Sequence, residues 1–509
     1  LVKDKVASRL FAKDFTLWGP EAEAESAIRL GWVDAAKNSL VLVPELKPLR
    51  AQLSDQGLTR VVLCGMGGSS LAPEVITKTF GCELVVLDST DPSQVRAALE
   101  ADLSKTIVVV SSKSGSTVET DSQKRSFEAA FNDVGIDSTQ RIFIVTDTDS
   151  PMHKQAMKDG YRVFLADPTV GGRYSGLTAF GVVPTMLAGV DTESILRSAD
   201  STTEALARDD EFNPGLILGA AIARTASNQG FKDKLGFVPA GSSIVGFGDW
   251  VEQLIAESTG KLGQGILPVV LERNSHEIEA AHDDMLLIGL SDDAEESKFD
   301  LAVSGDLGEM MLLWEVATAV ASRLLGVNPF DQPDVESAKI AARALLDSPA
   351  DGTVNVSSSS EIDYAALGFE LSSSNIDQCL AQLFRFAQPD SYLSIHCYLN
   401  RELFTKAEML RDLVARATNR PATFGWGPRF LHSTGQYHKG GPNQGVFLQI
   451  VSGEDDDLII PGREFGYRQL IDSQASGDAK VLSRSGSKVL VVRLSSPEVG
   501  ISELIGALS

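Results

Sequence analysis

Apolar residues in this chain come in short β-branched runs separated by amphipathic stretches, and the rhythm begins near Thr59. Val61–Cys64, Glu83–Asp88, Thr106–Val110, Arg141–Val145 and Arg162–Leu165 are predicted strands. Between them the spacing predicts helices from Leu71, over Gln94–Glu100 and over Val118–Phe131. Near-continuous apolar runs suit buried parallel strands, because both faces of such a strand are covered. Strands alternating with helices predict a doubly wound parallel sheet with ligands at the strands' C-terminal ends. Helical segments around 192–207 and 214–228 lead to a second series. Its predicted strands are Leu235–Val238, Gly265–Val269, Met285–Leu290 and Asp300–Val303, and its helices include Trp250–Ala256 and Met310–Leu325. Near residue 350, Asp351-Gly352 and the run Ser357–Ser360 predict a linker or loop. Beyond it, strands Tyr392–Leu399, Gly445–Val451 and Lys488–Leu494 and helices Glu402–Ala417 and Ile501–Leu508 return to α/β.

The expected fold class is α/β, with two doubly wound parallel-sheet units and a C-terminal α/β region. The expected division is an N-terminal helical segment (1–45), a first unit (46–190), a second (191–350) and the C-terminal region (351–509). Trp18, Leu30, Trp32 and Val33 are expected to dock the first segment on the body. The length of 509 residues fits about three domains at the usual ~150 residues each.

The turns between these elements carry the candidate chemistry. The predicted strand ending at Val110 runs into Ser111-Ser112-Lys113-Ser114-Gly115-Ser116-Thr117, and a helix follows at once. Backbone N–H groups at a helix start attract anions, and short hydroxyl side chains add donors. One Ser/Thr pair would be an ordinary helix cap. This density beside a glycine and a lysine points to a bound phosphate monoester, with Ser112, Lys113, Ser114 and Thr117 as its candidates. The turn after the first strand, Gly65-Met66-Gly67-Gly68-Ser69-Ser70, invites a rival dinucleotide reading, with Asp88 as the distant acid. Serine at position 70 breaks that fingerprint. Two polar loops on adjacent strands suit one small phosphorylated ligand better.

In Val170-Gly171-Gly172-Arg173-Tyr174-Ser175 the glycines let backbone approach a ligand, and Arg173 offers a fixed guanidinium. A surface salt bridge is the plainer alternative. Glu257 falls in the last turn of a helix that ends at Gly260, facing the negative end of its dipole. It is either a solvated glutamate or a general base tuned by burial. Asn328–Glu336 breaks into a helix carrying Lys339, and Leu431–Asn443 holds two of the chain's six histidines.

Composition narrows the partners. The chain is 43% hydrophobic and 22% charged, an ordinary globular composition. A net charge of −24 argues against nucleic acid and anionic membrane, and requires a local positive site for an anionic substrate. Cys64, Cys82, Cys379 and Cys397 form no paired motif, which predicts free thiols in a reducing, cytoplasmic setting. No apolar stretch is long enough for a membrane span, and the N-terminus lacks a signal peptide's apolar core. The chain opens on Leu1, so a trimmed or fused chain is expected.

Taken together, these motifs resemble the glucose-6-phosphate isomerase family, built on two sugar-isomerase (SIS) domains. The resemblance covers roughly residues 55 to 345. Gly68-Ser69 and Ser112-Lys113-Ser114 with Thr117 look like that family's phosphate loops. Gly172-Arg173 looks like its enediolate-stabilising arginine site, and Glu257 in Glu-Ser-Thr-Gly-Lys like its proton-transfer glutamate. Asp331-Gln332-Pro333 followed by Lys339 looks like its segment with a ring-opening lysine. The family's ring-opening histidine normally precedes that segment, but His276 and His282 there match no motif. The phrase Leu-His-Ser-x-Gly-Gln occurs instead at Leu431–Gln436, as in the isomerase half of bacterial transaldolase/phosphoglucose isomerase fusions.

The resemblance implies aldose–ketose isomerisation of glucose 6-phosphate to fructose 6-phosphate, in glycolysis and gluconeogenesis. Lys339 and His432 would open the ring, Glu257 would move the proton between C2 and C1, and Arg173 would stabilise the enediolate. Gly172 and Gln332 would line the substrate. Neither a metal nor another cofactor is expected. The partner is a small sugar phosphate; a homodimer and a fused or associated transaldolase are both compatible. Two alternatives stand beside it: a sugar-phosphate-sensing protein, which would not need Glu257 or Lys339, and an isomerase that also accepts mannose 6-phosphate. If Leu431–Gln436 supplies the histidine, the C-terminal region must fold back so that His432 joins Glu257, Arg173 and Lys339, on this subunit or a neighbour.

Overall fold

The computed structural model describes residues 1–227, 230–292, 299–334, 340, 356–358, 362–373, 375–454 and 456–509. Its first sheet contains β1 (Arg60–Gly65), β2 (Val85–Leu87), β3 (Thr106–Ser111), β4 (Ile142–Asp147) and β5 (Arg162–Ala166). The order is β2-β1-β3-β4-β5 and every pairing is parallel. The runs are apolar throughout because each strand feeds two cores. Val61, Leu63, Ile107 and Val109 enter one; Val62, Cys64, Val108 and Val110 enter the other, against Phe127 and Phe131. β1 and β3 are neighbours, with Gly65 beside Ser111, so the glycine turn and the serine turn leave the sheet side by side at its switch point. Leu30, Trp32 and Val33 are buried, and Trp18 donates its indole N–H to the Ala319 carbonyl at 2.9 Å.

A short antiparallel ribbon, β6 (Ala226–Ser227) with β7 (Gly230–Phe231), precedes the second sheet. That sheet contains β8 (Lys234–Pro239), β9 (Leu267–Val270), β10 (Met285–Leu290) and β11 (Leu301–Val303), all parallel in the order β11-β10-β8-β9. Its long helices begin about a turn before the sequence pattern does, at Phe247–Thr259 and Leu307–Leu325. A capping box at Asp306 and Glu309 sets the second of these starts, and Gly326 in the left-handed region sets its end.

The third sheet holds β12 (Val356–Ser358), β13 (Ile362–Leu367), β14 (Tyr392–Tyr398), β15 (Ala422–Trp426), β16 (Gly445–Ser452) and β17 (Lys488–Leu494). β15-β14-β16-β17 run parallel, and β13 and β12 close the edge antiparallel. Three features depart from the sequence pattern here. The serine-rich stretch is not merely a linker, because Val356–Ser358 pairs with β13 as an edge strand. β15 escapes the pattern because its five residues include Gly425 and are followed by Gly427-Pro428. The predicted helix Glu402–Ala417 is a 3₁₀ turn, Thr405–Glu408, followed by Met409–Thr418.

In all three sheets the first parallel strand lies between the second and the third. The third unit thus repeats the order of the other two, and it packs on both. Tyr467 and Leu470 of the helix Tyr467–Arg484 enter the core of Val108, Phe127 and Phe131. Tyr437 packs with Val238, Ala256 and Leu267 of the second unit. Arg411 pairs with the fully buried Glu277 at 2.6 Å. Among the described residues no helix is long and apolar enough to cross a membrane.

Phe127 is fully buried where the first sheet meets the helix Tyr467–Arg484. Phe127→Ala is expected to destabilise the chain by about 3–5 kcal/mol in urea unfolding. A loss below ~1 kcal/mol would mean that this junction is not a packed core.

Candidate active site

Three turns meet at two glycines. Gly67 takes φ +55°, and a Cβ there would lie 2.7 Å from the His432 carbonyl oxygen and 2.8 Å from Gln253 Nε2. A Cβ on Gly68 would fall 1.9 Å from the Gly172 carbonyl oxygen. Only glycine permits these approaches. Ser69, half-buried, follows in the same 3₁₀ turn, ahead of the helix Leu71–Thr79.

Arg173 sits on the turn beyond Gly172 and is 3% exposed. Its neighbour Tyr174 is fixed by stacking on Trp32, ring centroids 5.0 Å apart. The guanidinium Nε lies 3.0 Å from Glu257 Oε2, and Nη1 donates to the Glu257 carbonyl at 2.6 Å and to the Pro329 carbonyl at 3.0 Å. Nη2 donates to Gln332 Oε1. Arg173, Glu257 and Gln332 are therefore brought together, by a cation whose planar fork suits several acceptors at once. Glu257 belongs to the last turn of the helix Phe247–Thr259 and is 8% exposed, so it is not a solvated surface acid.

Two further residues hold this corner. Lys261, 2% exposed, donates to the Asn328 and Asp331 carbonyls and to Asp331 Oδ1 at 2.6–2.7 Å. Burial and the nearby Arg173 charge push its amine down to about 8, with Asp331 opposing. Gln436 donates to the Gly260 carbonyl at 2.8 Å and to Asp334 Oδ2 at 2.7 Å, and accepts from the Asp334 N–H. A Cβ on Gly260 would lie 2.6 Å from Tyr437 Cα, so this glycine lets the Gly435–Gly440 helix approach.

The late segment thus folds back within the same chain. His432 Nε2 lies 3.0 Å from Glu119 Oε1, and its carbonyl accepts from Gln253 Nε2 at 2.8 Å. Gln253 precedes Glu257 by one turn on the same helix face, which ties the histidine to the glutamate's helix. Glu119 and Gln253 were not singled out from sequence. An acid in a helix's first turn is an ordinary dipole effect and gives no signal. The i, i+4 spacing of Gln253 and Glu257 was legible. His276 instead meets Asp412 and Asn419, and His282 lies near Met285 and Asp300 beside another cavity.

The serine turn is built as a cradle. Ser112 Oγ accepts the Gly115 N–H at 3.1 Å and lies 3.3 Å from Thr117 Oγ1; Ser114 and Ser116 are exposed and bonded to each other. Gly115 takes φ +73° against Met152, where a Cβ would come within 2.3 Å. Lys113 is placed differently from the sequence expectation. Its ammonium pairs with Asp147 at 2.6 Å and donates to the Val170 and Pro168 carbonyls at 2.8 and 3.2 Å. It fastens the serine turn to the segment leading into Gly172-Arg173. Asp88, the acid of the dinucleotide reading, is buried 3.1 Å from Arg429. Lys339 lies outside the described residues.

A cavity of about 970 Å³ lies toward the other end of the Phe247–Thr259 helix, around Asp249, Arg401 and Arg429. Arg173, Glu257, Lys261, Gln332 and His432 do not line it. Among the described residues no group of three or more His, Cys, Asp and Glu is arranged to hold a metal ion.

The sequence model of the family described as Phosphoglucose isomerase matches residues 52–265. A probable glucose-6-phosphate isomerase of Natronomonas pharaonis is 30% identical over 338 residues, covering 56% of this chain and 78% of the relative. The chain belongs to the phosphoglucose isomerase family. A probable glucose-6-phosphate isomerase of Haloarcula marismortui is 28% identical over 340 residues, with the same coverage. Among solved structures, a hypothetical protein of Thermus thermophilus matches with TM-score 0.57 at 23% identity, over 68% of this chain and 94% of that one. A glucose-6-phosphate isomerase of Chlamydia trachomatis matches with TM-score 0.53 at 19% identity, over 69% and 79%. These two likenesses establish the fold. The matched family region ends before Gln332 and His432.

Lys261 holds its proton less tightly folded, at about 8, than at its ordinary 10.5. Unfolding therefore takes up a proton between these values. The buried charge costs the folded state on the order of 3 kcal/mol below about pH 8, and that cost is relieved as pH rises toward 10.5. Urea unfolding at about pH 7.5 and about pH 10 is expected to show the unaltered chain gaining stability relative to Lys261→Met. A difference that stays flat with pH would contradict the assignment.

Proposed function

We propose that this chain interconverts glucose 6-phosphate and fructose 6-phosphate by ring opening and a cis-enediol proton transfer. The observation that carries the reading is the buried pair of Arg173 and Glu257, 3.0 Å apart, where the Gly68 turn meets Gly172. A single carboxylate can carry a proton from C2 to C1 on one face of the substrate, and that role falls to Glu257. Negative charge then develops on the enediolate oxygens, and Arg173 is the fixed cation beside the base. Gln332, bonded to the same guanidinium, lines the substrate with Gly68, Ser69 and Gly172.

Ser112, Ser114 and Thr117 hold the phosphate, at the start of the helix Val118–Asp133. Lys113 is removed from direct phosphate contact and given the task of joining the two loops. Ring opening needs one group to protonate the ring oxygen and another to deprotonate the anomeric hydroxyl. His432, oriented by Glu119, takes one task and Lys339 the other. With Nε2–H held by the carboxylate, Nδ1 is the nitrogen that exchanges a proton.

The proposed division of the chain is a helical segment (1–45) and three α/β units (46–190, 191–350, 351–509), with the site among all three units. A homodimer or an attached transaldolase would be an addition to a site that one chain completes. A sensing protein would have no use for the Arg173–Glu257 pair. Mannose 6-phosphate differs only at C2, the carbon that loses its configuration in the enediol, so it belongs in the same assay.

Glu257→Gln keeps the shape and removes the base. It is expected to lower fructose 6-phosphate formation by about 10³-fold or more, while the α and β anomers of glucose 6-phosphate still interconvert on the enzyme. Exchange of the C2 proton with solvent at the unaltered rate would remove Glu257 from the role. In the same assay without added metal, Ser112→Ala with Thr117→Ala is expected to raise KM far more than it lowers kcat. Two hydrogen bonds to a charged group amount to ~3 kcal/mol or more, and an unchanged KM would move the phosphate elsewhere.

A further inference from the structure

The helix Tyr467–Arg484 of the third unit reaches the histidine from two sides. Gln474 donates from Nε2 to Glu119 Oε1 at 2.7 Å, the same oxygen that faces His432 Nε2 at 3.0 Å. The Thr90 hydroxyl donates to Gln474 Oε1 at 2.7 Å, so the amide is held with its NH₂ toward the carboxylate. Thr90, Gln474 and Glu119 are each buried to 5% exposure or less. One turn along, Asp478 pairs with Lys439 at 2.6 Å, and Lys439 also caps the Gly435 carbonyl of the short helix that follows His432. The histidine's carboxylate partner and the turn that carries the ring are thus both fastened to one helix face.

We propose that Gln474 is a positioning residue for His432, acting through Glu119, with Asp478 anchoring the histidine's turn through Lys439. The proposal rests on the reading that His432 takes part in ring opening. Two donors on one carboxylate oxygen fix the rotation of Glu119, and through it the tilt of the imidazole. A buried amide does this without competing for the proton, because glutamine does not ionise. Groups close to the histidine's turn are Glu119 from the helix Val118–Asp133, Gln253 from the helix Phe247–Thr259, and Arg429 on the turn itself. Of these, Glu119 is the one to which Gln474 donates a hydrogen bond among those described.

The test separates ring opening from proton transfer. In the Glu257→Gln background, magnetisation exchange between the α and β anomers of glucose 6-phosphate reports opening and closing alone. Gln474→Met is expected to slow that exchange about tenfold or more. In the otherwise unaltered chain it should lower kcat for glucose 6-phosphate by a similar factor, with KM and the unfolding midpoint little changed. Solvent exchange at C2 of erythrose 4-phosphate, which cannot close a ring through its phosphorylated oxygen, should be spared. Anomer exchange at the undiminished rate, or an equal loss with the open-chain tetrose, would overturn the proposal. Should Gln474→Met fail to fold, Thr90→Val removes only the hydroxyl that orients the amide, and the same measurements apply with a smaller loss in the same sense. An unaltered chain that does not isomerise glucose 6-phosphate would instead overturn the function itself.

Discussion

A guanidinium that is 3% exposed cannot shed its proton, so the protein around Arg173 must satisfy its charge. It does so with the Glu257 carboxylate, the carbonyls of Glu257 and Pro329, and the Gln332 amide. Those acceptors come from the end of one helix and from one turn, and the need to satisfy a buried cation brings both to the same point. Lys261 and Gln436 then hold the same turn from the other side. One buried charge thus organises the cleft. Removing Arg173 would leave Glu257 buried beside a void.

The third unit repeats the strand order of the first two, and it brings His432 to Glu119 of the first. Its interior is more polar than a purely structural layer requires. Burial raises the Asp478 carboxyl, but the Lys439 ammonium and His396 outweigh that and hold it below the ordinary carboxylate range. Burial, with His396 and Lys439 nearby, pushes His438 well down, and its ring stacks on Tyr392. Removing one member of such a network would leave a buried charge without its partner. The network keeps the Gly435–Gly440 helix in place and with it the turn bearing His432.

The first two sheets were legible in the sequence because parallel strands covered on both faces announce themselves as apolar runs. Thr106–Ser111 and Met285–Leu290 fall where the pattern puts them to within a residue. Ala422–Trp426 did not, since a strand broken by glycine and bounded by proline carries no such run. Glu257, Arg173 and His432 were legible as residue types in unusual settings. A lysine among serines reads as a phosphate ligand, while the partner the structure gives Lys113, Asp147, is remote in sequence and brought near through the pairing of β3 with β4. Glu119 and Gln474 were invisible for the same reason. Their meeting depends on how the third unit lies against the first, which no local pattern encodes.

His432 of the third unit is bonded to the helix that carries Glu257 of the same chain, so one chain is expected to complete the site. Mixing two inactive chains tests it directly. Glu257→Gln and His432→Ala chains, unfolded together and refolded as a mixture, are assayed for fructose 6-phosphate formation. If the site is completed within one chain, the mixture shows no more activity than the sum of its parts at any protein concentration. Recovery of a substantial fraction of the unaltered activity would mean that the histidine reaches the glutamate of another copy, and would contradict the account.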